Sequence, residues 1–293
     1  MWRFGLEVAL RLFLGLLGAI VLAGAVASLS AGRDAGLFAS VASYLLSLLH
    51  MDFGHSRLTG LAAESELLAR LPATAELLMT GALISLVLGV PSGLLFSSNK
   101  TLRPVGAIPQ ILEALPPFII CVALVWASEF WHWPLATQGP PPAPGLLPTD
   151  GFDVGSELQA LALPALVVGL VGTVVVQMRI RRAAREAAKV PYREGLQRLG
   201  LPAWEIWLRF VAPVVVAGLF AGLGEIVVAL ISADLVAEWV FGWPGIGALF
   251  IKSVALSDWP VVALIALTFA ALKLLAEFLG LLAARAFALG GYA

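Results

Sequence analysis

Long apolar runs separated by shorter polar connections dominate the hydrophobic pattern of this 293-residue chain. A helix needs about 20 mainly apolar residues to cross the hydrocarbon core of a bilayer. Six segments meet this requirement, at residues 7–28, 74–97, 105–128, 158–180, 210–237 and 259–284. The pattern therefore predicts an all-α integral membrane protein with six transmembrane helices. A cleaved signal peptide is the alternative for the first segment, because Arg3 precedes an apolar run that ends in small residues.

Composition supports a membrane location and argues against several kinds of site. The chain is 60% hydrophobic and 13% charged, whereas soluble domains average about half apolar and a quarter charged residues. The single cysteine, Cys121, lies in an apolar run, and all three histidines lie outside the runs. We therefore expect no disulfide framework and no metal site, and no intramembrane hydrolase, which would need a base beside its nucleophile.

Lysine and arginine residues near the span ends predict the orientation of the chain. If the N-terminus is inside, four fall on the outer side: Arg33, Arg57, Arg70 and Lys252. Twelve fall on the cytoplasmic side: Arg3, Lys100, Arg103, Arg179, Arg181, Arg182, Arg185, Lys189, Arg193, Arg198, Arg209 and Arg285. We therefore expect both termini in the cytoplasm.

The whole chain, residues 1–293, is then predicted to form a single transmembrane domain. It has a long outer segment over residues 29–73 and a basic cytoplasmic loop over residues 181–209. Within the outer segment, the stretch "GLAAESELLARL" predicts a short surface helix.

The basic loop between the fourth and fifth spans contains residues that start and stop helices. Pro191 cannot continue a helix but is well suited to a first helical position. Gly200 followed by Pro202 is typical of a helix C-terminus, where glycine adopts a positive φ. These residues predict a compact cytoplasmic helix over about residues 191–199, with an apolar stripe on one face. Such a helix either docks on a partner protein or lies on the membrane surface.

The same loop resembles the cytoplasmic EAA coupling motif of ABC-importer permeases. The acid Glu194 is followed by Gly200, then by the apolar Phe210 and by Pro213 at the spacing of that motif. The literal Glu-Ala-Ala at residues 186–188 lacks a glycine at the required distance, and the consensus alanines are replaced beside Glu194. The resemblance implies that ATPase coupling depends on Tyr192, Glu194, Gly195, Leu196, Gly200, Leu201 and Pro213.

Five further segments resemble the B-type permease of dipeptide, oligopeptide and nickel importers. They are "DFGHS" at 52–56, "RLPATAEL" at 70–77, "ALPPF" at 114–118, "AEWVFGWPGIG" at 237–247 and "SDWPVV" at 257–262. The resemblance implies an ABC type I importer permease fold in the bacterial inner (cytoplasmic) membrane. It also implies a heterodimer with a C-type permease, two cytoplasmic ATPase subunits and a periplasmic or lipoprotein substrate-binding protein.

The chain contains no phosphate-binding loop of the G-x-x-x-x-G-K-[ST] type. We therefore expect a transport subunit and not an enzyme, with no cofactor of its own. ATP and Mg are expected on the partner ATPase subunits.

Ionisable residues inside the spans are costly and therefore mark candidate functional residues. Lys273 and Glu277 are four residues apart, which predicts an intramembrane pair. The resemblance implies that Glu238 braces the turn that contains Phe241, Pro244, Gly245 and Gly247. The candidates for the translocation path are Asp234, Glu225 and Glu113. Because Glu225 and Asp234 are on opposite faces of one helix, at most one of those faces lines the path.

The function that the resemblance implies is import of peptides or a related small solute by alternating access. Two alternatives remain open at this point. The same family also imports nickel or metal chelates, and an ion-coupled secondary transporter would account for the charges inside the spans.

Overall fold

The computed structural model describes residues 2–28, 42, 44, 46–47, 50, 52–98, 115–132, 154–188 and 200–290. Regular structure in these ranges is helical, apart from one isolated antiparallel bridge between His55 and Ala62. The helices are α1 (Trp2–Ser28), α2 (Ala63–Ser98), α3 (Pro117–Phe130), α4 (Val154–Ala188), α5 (Ala203–Ile206), α6 (Ala212–Ala221), α7 (Leu223–Phe241), α8 (Ile246–Ala255) and α9 (Trp259–Gly290). A π-helical turn, Trp207–Val211, joins α5 to α6. The all-α prediction is confirmed for this part of the chain.

Four helical stretches within the described residues are long and apolar enough to cross a membrane. They are Ala63–Ser97, Gln159–Ala187, Ala203–Ala221 and Trp259–Phe287. A fifth span results if α7 and α8, which are bent by 75° relative to each other, count as one. Shorter apolar helices occur at Leu12–Val26 and Pro117–Phe130. The predicted total of six spans stays a prediction, since residues 105–114 of the predicted third span lie outside the described ranges.

Close packing between α2 and α4 is made possible by small residues on one face of α2. Successive glycines of α2 face successive residues of α4 in the same order: Gly81 faces Val168, Gly89 faces Val176 and Gly93 faces Ile180. A Cβ atom at Gly89 or Gly93 would lie 2.8 or 2.7 Å from the facing side chain, so only glycine permits this approach. Small residues four apart are a common basis of helix association in membranes. The matching order of contacts means that α2 and α4 run in the same direction.

Helix α7 runs antiparallel to both α4 and α9. Leu230 of α7 lies near Gly172 of α4, whereas Gly222, just before α7, lies against Arg179 further along α4. Gly224 of α7 similarly lies against Glu277, late in α9. The ends of α2, α4, α7 and α9 therefore lie in two groups, one at each end of the helix bundle. We call the end that contains Glu238 the outer end and the end that contains Arg179 the inner end.

The predicted fifth span, 210–237, is divided in the structure. Helix α6 ends at Ala221 and α7 begins at Leu223, with Gly222 between them. The reason is tertiary, because the Arg179 side chain packs against Gly222, where a Cβ atom would lie 2.6 Å from the arginine Nε. The π turn before α6 has a local cause. Pro213 has no N–H to donate to the carbonyl of Arg209, so the turn widens, and Ala212 N–H instead donates to the carbonyl of Trp207.

The predicted separate surface helix in "GLAAESELLARL" is wrong, because its helical residues are the beginning of α2. Glu64 and Glu66 in the first turn favour the start of a helix at Ala63. An ion pair of 2.6 Å between Arg70 and Glu66, one turn apart, supports it. Pro72 lies inside the helix without ending it. Proline removes one backbone hydrogen bond, and packing against neighbouring helices offsets such a loss in membrane proteins.

Candidate functional site

A buried carboxylate organises the outer end of the molecule. Glu238 of α7 is 0% exposed. Its Oε1 accepts a hydrogen bond of 2.6 Å from Thr74 Oγ1 of α2, and its Oε2 accepts one of 2.8 Å from the backbone N–H of Ala248 in α8. Thr74 Oγ1 in turn accepts a hydrogen bond of 2.7 Å from the N–H of Ile246. A single acidic side chain thus joins α7 and α2 to the N-terminus of α8, where negative charge is favoured.

The backbone between α7 and α8 allows this contact. Gly242 ends α7 with a φ of +68°, a value that glycine adopts without strain. The indole Nε1–H of Trp243 donates a hydrogen bond of 3.1 Å to the carbonyl of Ala73. At Gly245 a side chain would occupy the position of the Glu238 carboxylate, and at Gly247 a Cβ atom would lie 2.7 Å from Leu235 Cα. Of the turn residues named from the sequence, Gly245 and Gly247 lie against the Glu238 carboxylate. The structural role of the whole turn, with Phe241 and Pro244, stays a prediction.

A second acid joins the outer loop to α9. Asp258, just before α9, accepts a hydrogen bond of 2.5 Å from Ser56 Oγ and one of 3.0 Å from the N–H of Arg57. Ser56 and Asp258 are both buried. Two segments whose resemblance was noted separately, "DFGHS" and "SDWPVV", thus meet in space. The loop that contains Ser56 is held on the bundle by a carboxylate 202 residues away in sequence.

Replacing Asp258 with alanine is expected to release this loop. Trypsin cleavage after Arg57 in the solubilised protein should be about tenfold faster, because opening no longer breaks two hydrogen bonds to a charged acceptor. The matched control is Asp52→Ala in the same loop, since exposed Asp52 accepts, from the part of the chain that the structure describes, only a local hydrogen bond from Gly54 N–H. Equal cleavage rates for the two variants would mean that Asp258 does not hold the loop.

Asp234 lies one helical turn before Glu238 and is fully buried. Neither of its carboxylate oxygens accepts a hydrogen bond from a described residue. An ionisable group in such a position is costly and draws attention as a functional candidate. In this conformation its face of α7 packs into the helix bundle. Its predicted place on the translocation path remains a prediction.

The opposite face of α7 is exposed along its length. The exposed residues recur at helical spacing: Glu225, Val228, Ser232 and Trp239. Glu225, the second candidate for the path, lies at the inner end of this face and forms an ion pair with Arg179 of α4. The structure therefore places the two path candidates of α7 in different environments, Glu225 exposed and Asp234 buried. Glu113, the third candidate, lies outside the described residues.

A cavity of about 570 Å³ lies beside Glu225 at the inner end. Its walls come from α4, the first turns of α7 and the middle of α9. The charged residues in the walls are Arg179, Arg181, Arg182, Arg185, Lys273 and Glu225. Lys273 also forms an ion pair with Glu277, four residues further along α9. The polar wall of this cavity is therefore mainly basic.

The predicted coupling residues fall largely outside the described part of the chain. This applies to Tyr192, Glu194, Gly195 and Leu196. Gly200 is described and has a φ of +85°, the left-handed backbone value expected for it. Leu201 follows it, and Pro213 lies at the start of α6, directly after the π turn. The role of all these residues in coupling stays a prediction.

Several residues at the two ends were not singled out from the sequence. The segments that resemble the family include Thr74, Ser56 and Asp258. The amino-acid sequence alone does not indicate which of their residues are in contact. Arg179 was counted only as part of a basic loop, and its pairing with Glu225 depends on the antiparallel packing of α4 and α7. No group of three or more His, Cys, Asp or Glu that could hold a metal ion occurs in the described ranges.

Comparison with known proteins relates this architecture to a transport family. The family model described as "Binding-protein-dependent transport system inner membrane component" matches residues 81–288. This range includes α4, α7 and nearly all of α9, together with the turn around Glu238. It also includes the whole basic loop between α4 and α5.

Curated relatives cover most of the chain. The probable D,D-dipeptide transport system permease protein DdpB of Escherichia coli (strain K12) is 29% identical over 79% of this chain and 73% of its own length. The oligopeptide transport system permease protein OppB of the same organism is 24% identical over 75% and 69%, respectively. The peptide transport system permease protein SapB of Salmonella typhimurium is 23% identical over 79% and 78%. This multi-pass chain therefore belongs to the inner membrane components of binding-protein-dependent transport systems, and it is a transmembrane permease component of an ABC importer.

Proposed function

We propose that this permease imports peptides or closely related small solutes. The observation behind the proposal is the similarity, over 75–79% of the chain, to permeases whose names give dipeptides, oligopeptides or peptides as cargo. The substrate-binding protein of such a system delivers the cargo to the outer end. The permease then carries it to the inner end by alternating access.

The assembly we propose is a heterodimer with a C-type permease on two cytoplasmic ATPase subunits, which bind ATP and Mg. We propose six spans with both termini in the cytoplasm. In this arrangement one span lies between α2 and α4 along the chain, so both helices cross the membrane in the same direction, which agrees with their parallel course. The basic residues at the inner end suit a cytoplasmic location. The segment from Tyr192 to Leu201, with Glu194 and Gly200 central, is proposed to dock on an ATPase subunit.

The translocation path is proposed to follow the exposed face of α7, with Glu225 at its inner end. Glu225, Val228, Ser232 and Trp239 of this face are exposed, and the face adjoins the cavity between α4, α7 and α9. A second permease of similar fold would close the open side of this groove. Asp234, on the buried face, would reach the path only after a change in the packing of α7.

The alternatives differ in energy source and cargo. An ion-coupled transporter would use buried charges such as Asp234, and it would not need the predicted ATPase-docking segment. The described residues contain no cluster of three or more His, Cys, Asp or Glu side chains that could hold a metal ion. This gives no support to nickel as the cargo.

Reconstituted transport tests the proposed function. The chain is assembled in proteoliposomes with its proposed partners, a C-type permease, two ATPase subunits and a substrate-binding protein. We expect uptake of a labelled dipeptide or tripeptide that requires ATP on the cytoplasmic side and the binding protein outside. Uptake driven by a proton or sodium gradient without ATP would contradict the proposal. ATP-driven uptake of nickel but not of peptides would assign the other cargo.

A further inference from the structure

The basic cavity at the inner end has an excess of positive charge that the described carboxylates do not balance. Five cationic side chains line it, from Arg179, Arg181, Arg182, Arg185 and Lys273. Two carboxylates offset them, Glu225 paired with Arg179 and Glu277 paired with Lys273. Arg182 and Arg185 remain as two further positive charges in the wall. Like charges crowded into one cavity repel one another, so an anion in it would be stabilised.

The arginines lie together on the α4 wall of the cavity, and Arg182 and Arg185 are exposed there. Arg179, Arg182 and Arg185 recur at three-residue spacing and share one face of α4. The other face of α4 packs against α2 through Val176 and Ile180. Guanidinium groups bind carboxylates and phosphates with two parallel hydrogen bonds, which favours an oxyanion ligand.

The opposite wall of the cavity also suits an anion. It is formed by the first turn of α7, with Gly224 and with Glu225, whose carboxylate is paired with Arg179. This helix has 19 residues, and its N-terminal N–H groups add a favourable dipole to the charges on α4.

The cavity continues toward the middle of the bundle. A second cavity of about 310 Å³ shares Val228 and Lys273 with the first. Its remaining walls are mainly apolar, from Gly15, Ile231, Ser232, Phe269, Ala270 and Leu274. A solute moving along the exposed face of α7 toward the inner end would leave an apolar section, pass Lys273 and then meet the arginines.

We propose that the basic cavity is an exit site that binds the carboxylate terminus of the peptide cargo before release at the inner end. The proposal rests on the proposed function for the identity of the cargo. The recognising chemistry is an oxyanion between arginine guanidinium groups. A phospholipid headgroup phosphate shares this chemistry, so the experiments must separate the two sources.

A test of the cavity's charge does not depend on transport. In the assembled transporter with Cys121→Ala, Val228→Cys places a thiol in the cavity wall. Its rates of modification by an anionic and a cationic methanethiosulfonate are compared. We expect the ratio of anionic to cationic rates to fall about tenfold when Arg182→Gln and Arg185→Gln are added, since both arginines line the same cavity as residue 228. Val254→Cys is the matched control, because Val254 at the outer end is 41% exposed and Val228 is 45% exposed. A ratio at Val228→Cys that does not respond to the arginine changes would overturn the proposal.

The ligand is tested by transport of trialanine and trialanine amide through the same assembly. For Arg182→Gln, the ratio of trialanine to trialanine amide uptake should fall about tenfold relative to the unmodified transporter, as expected for one lost charge-assisted hydrogen bond. The preference of the binding protein cancels because it is the same in both measurements. An equal loss for both peptides that occurs only in vesicles containing phosphatidylglycerol would overturn the cargo site in favour of a lipid site. Loss of neither peptide would also overturn it. Failure of the unmodified transporter to take up either peptide would instead count against the proposed function.

Discussion

Replacing Glu238 with alanine is expected to destabilise the folded protein by about 3 kcal/mol, a typical cost of disrupting a buried charged hydrogen-bond network. The variant leaves the Thr74 hydroxyl and the Ala248 N–H without their carboxylate acceptor, and both lie at the junction of α2, α7 and α8. The turn between α7 and α8 should therefore loosen. The free energy of unfolding can be measured by titrating the purified protein with sodium dodecyl sulfate in mixed micelles.

The matched control is Glu225→Ala in the same helix. The Glu225 side chain is 68% exposed, and exposed ion pairs contribute about 1 kcal/mol or less. Glu238→Gln should be intermediate, because its amide oxygen can still accept from one donor while its NH₂ group cannot accept from the other. If Glu238→Ala were no more destabilising than Glu225→Ala, the carboxylate would not be what holds the outer turn.

Replacing Gly200 with valine is expected to reduce ATP-driven uptake at least tenfold while leaving membrane insertion intact. The φ of +85° at Gly200 is strained for any residue with a Cβ, by about 1–2 kcal/mol or more for a β-branched one. Among the described residues, no heavy atom lies within 4 Å of the position that a Cβ would occupy. The expected defect is therefore conformational, a redirection of the chain between the predicted coupling helix and α5, and not a steric clash. Uptake and ATPase assembly are measured in the same proteoliposomes.

Gly200→Asn separates backbone conformation from other roles of the residue. Asparagine tolerates the left-handed region better than valine, so it should retain most of the transport. Equal loss in both variants would mean that the position does not act through its positive φ.

Substitutions at Glu194 and Glu186 test which of these two glutamates is the coupling acid. Glu194→Lys should uncouple ATPase assembly from transport, and Glu186→Gln should be milder. Glu186 lies in the last turns of α4 and is exposed, whereas Glu194 lies outside the described residues. If Glu186 proved the more damaging site, the spacing assigned to the coupling motif would be wrong.

Features set by neighbouring residues were predictable from the sequence. Apolar run length predicted the helices that became α2, α4 and α9, although their ends extend beyond the predicted spans. The positive φ of Gly200 followed from a glycine placed before Pro202, and the left-handed Gly242 lies in a turn recognised by its letters. In each case the physical cause lies within a few residues. The helices follow from how their own side chains are solvated, and the positive φ values follow from the steric freedom of glycine.

Features set by packing between distant segments were not predictable from the sequence. The sequence placed Glu225 and Asp234 on opposite faces of one helix, but only the positions of α2, α4 and α9 determined which face is buried. The division of the predicted fifth span at Gly222 follows from the Arg179 side chain, which comes from another helix. Helical periodicity defines the faces of a helix without stating which neighbour each face meets. The sequence by itself therefore determined an all-helical membrane chain with a recognisable turn and a basic loop that resembles a coupling motif. The tertiary structure decided the buried contacts of Glu238 and Asp258 and the grouping of arginines around one cavity, because these depend on how helices far apart in sequence pack together.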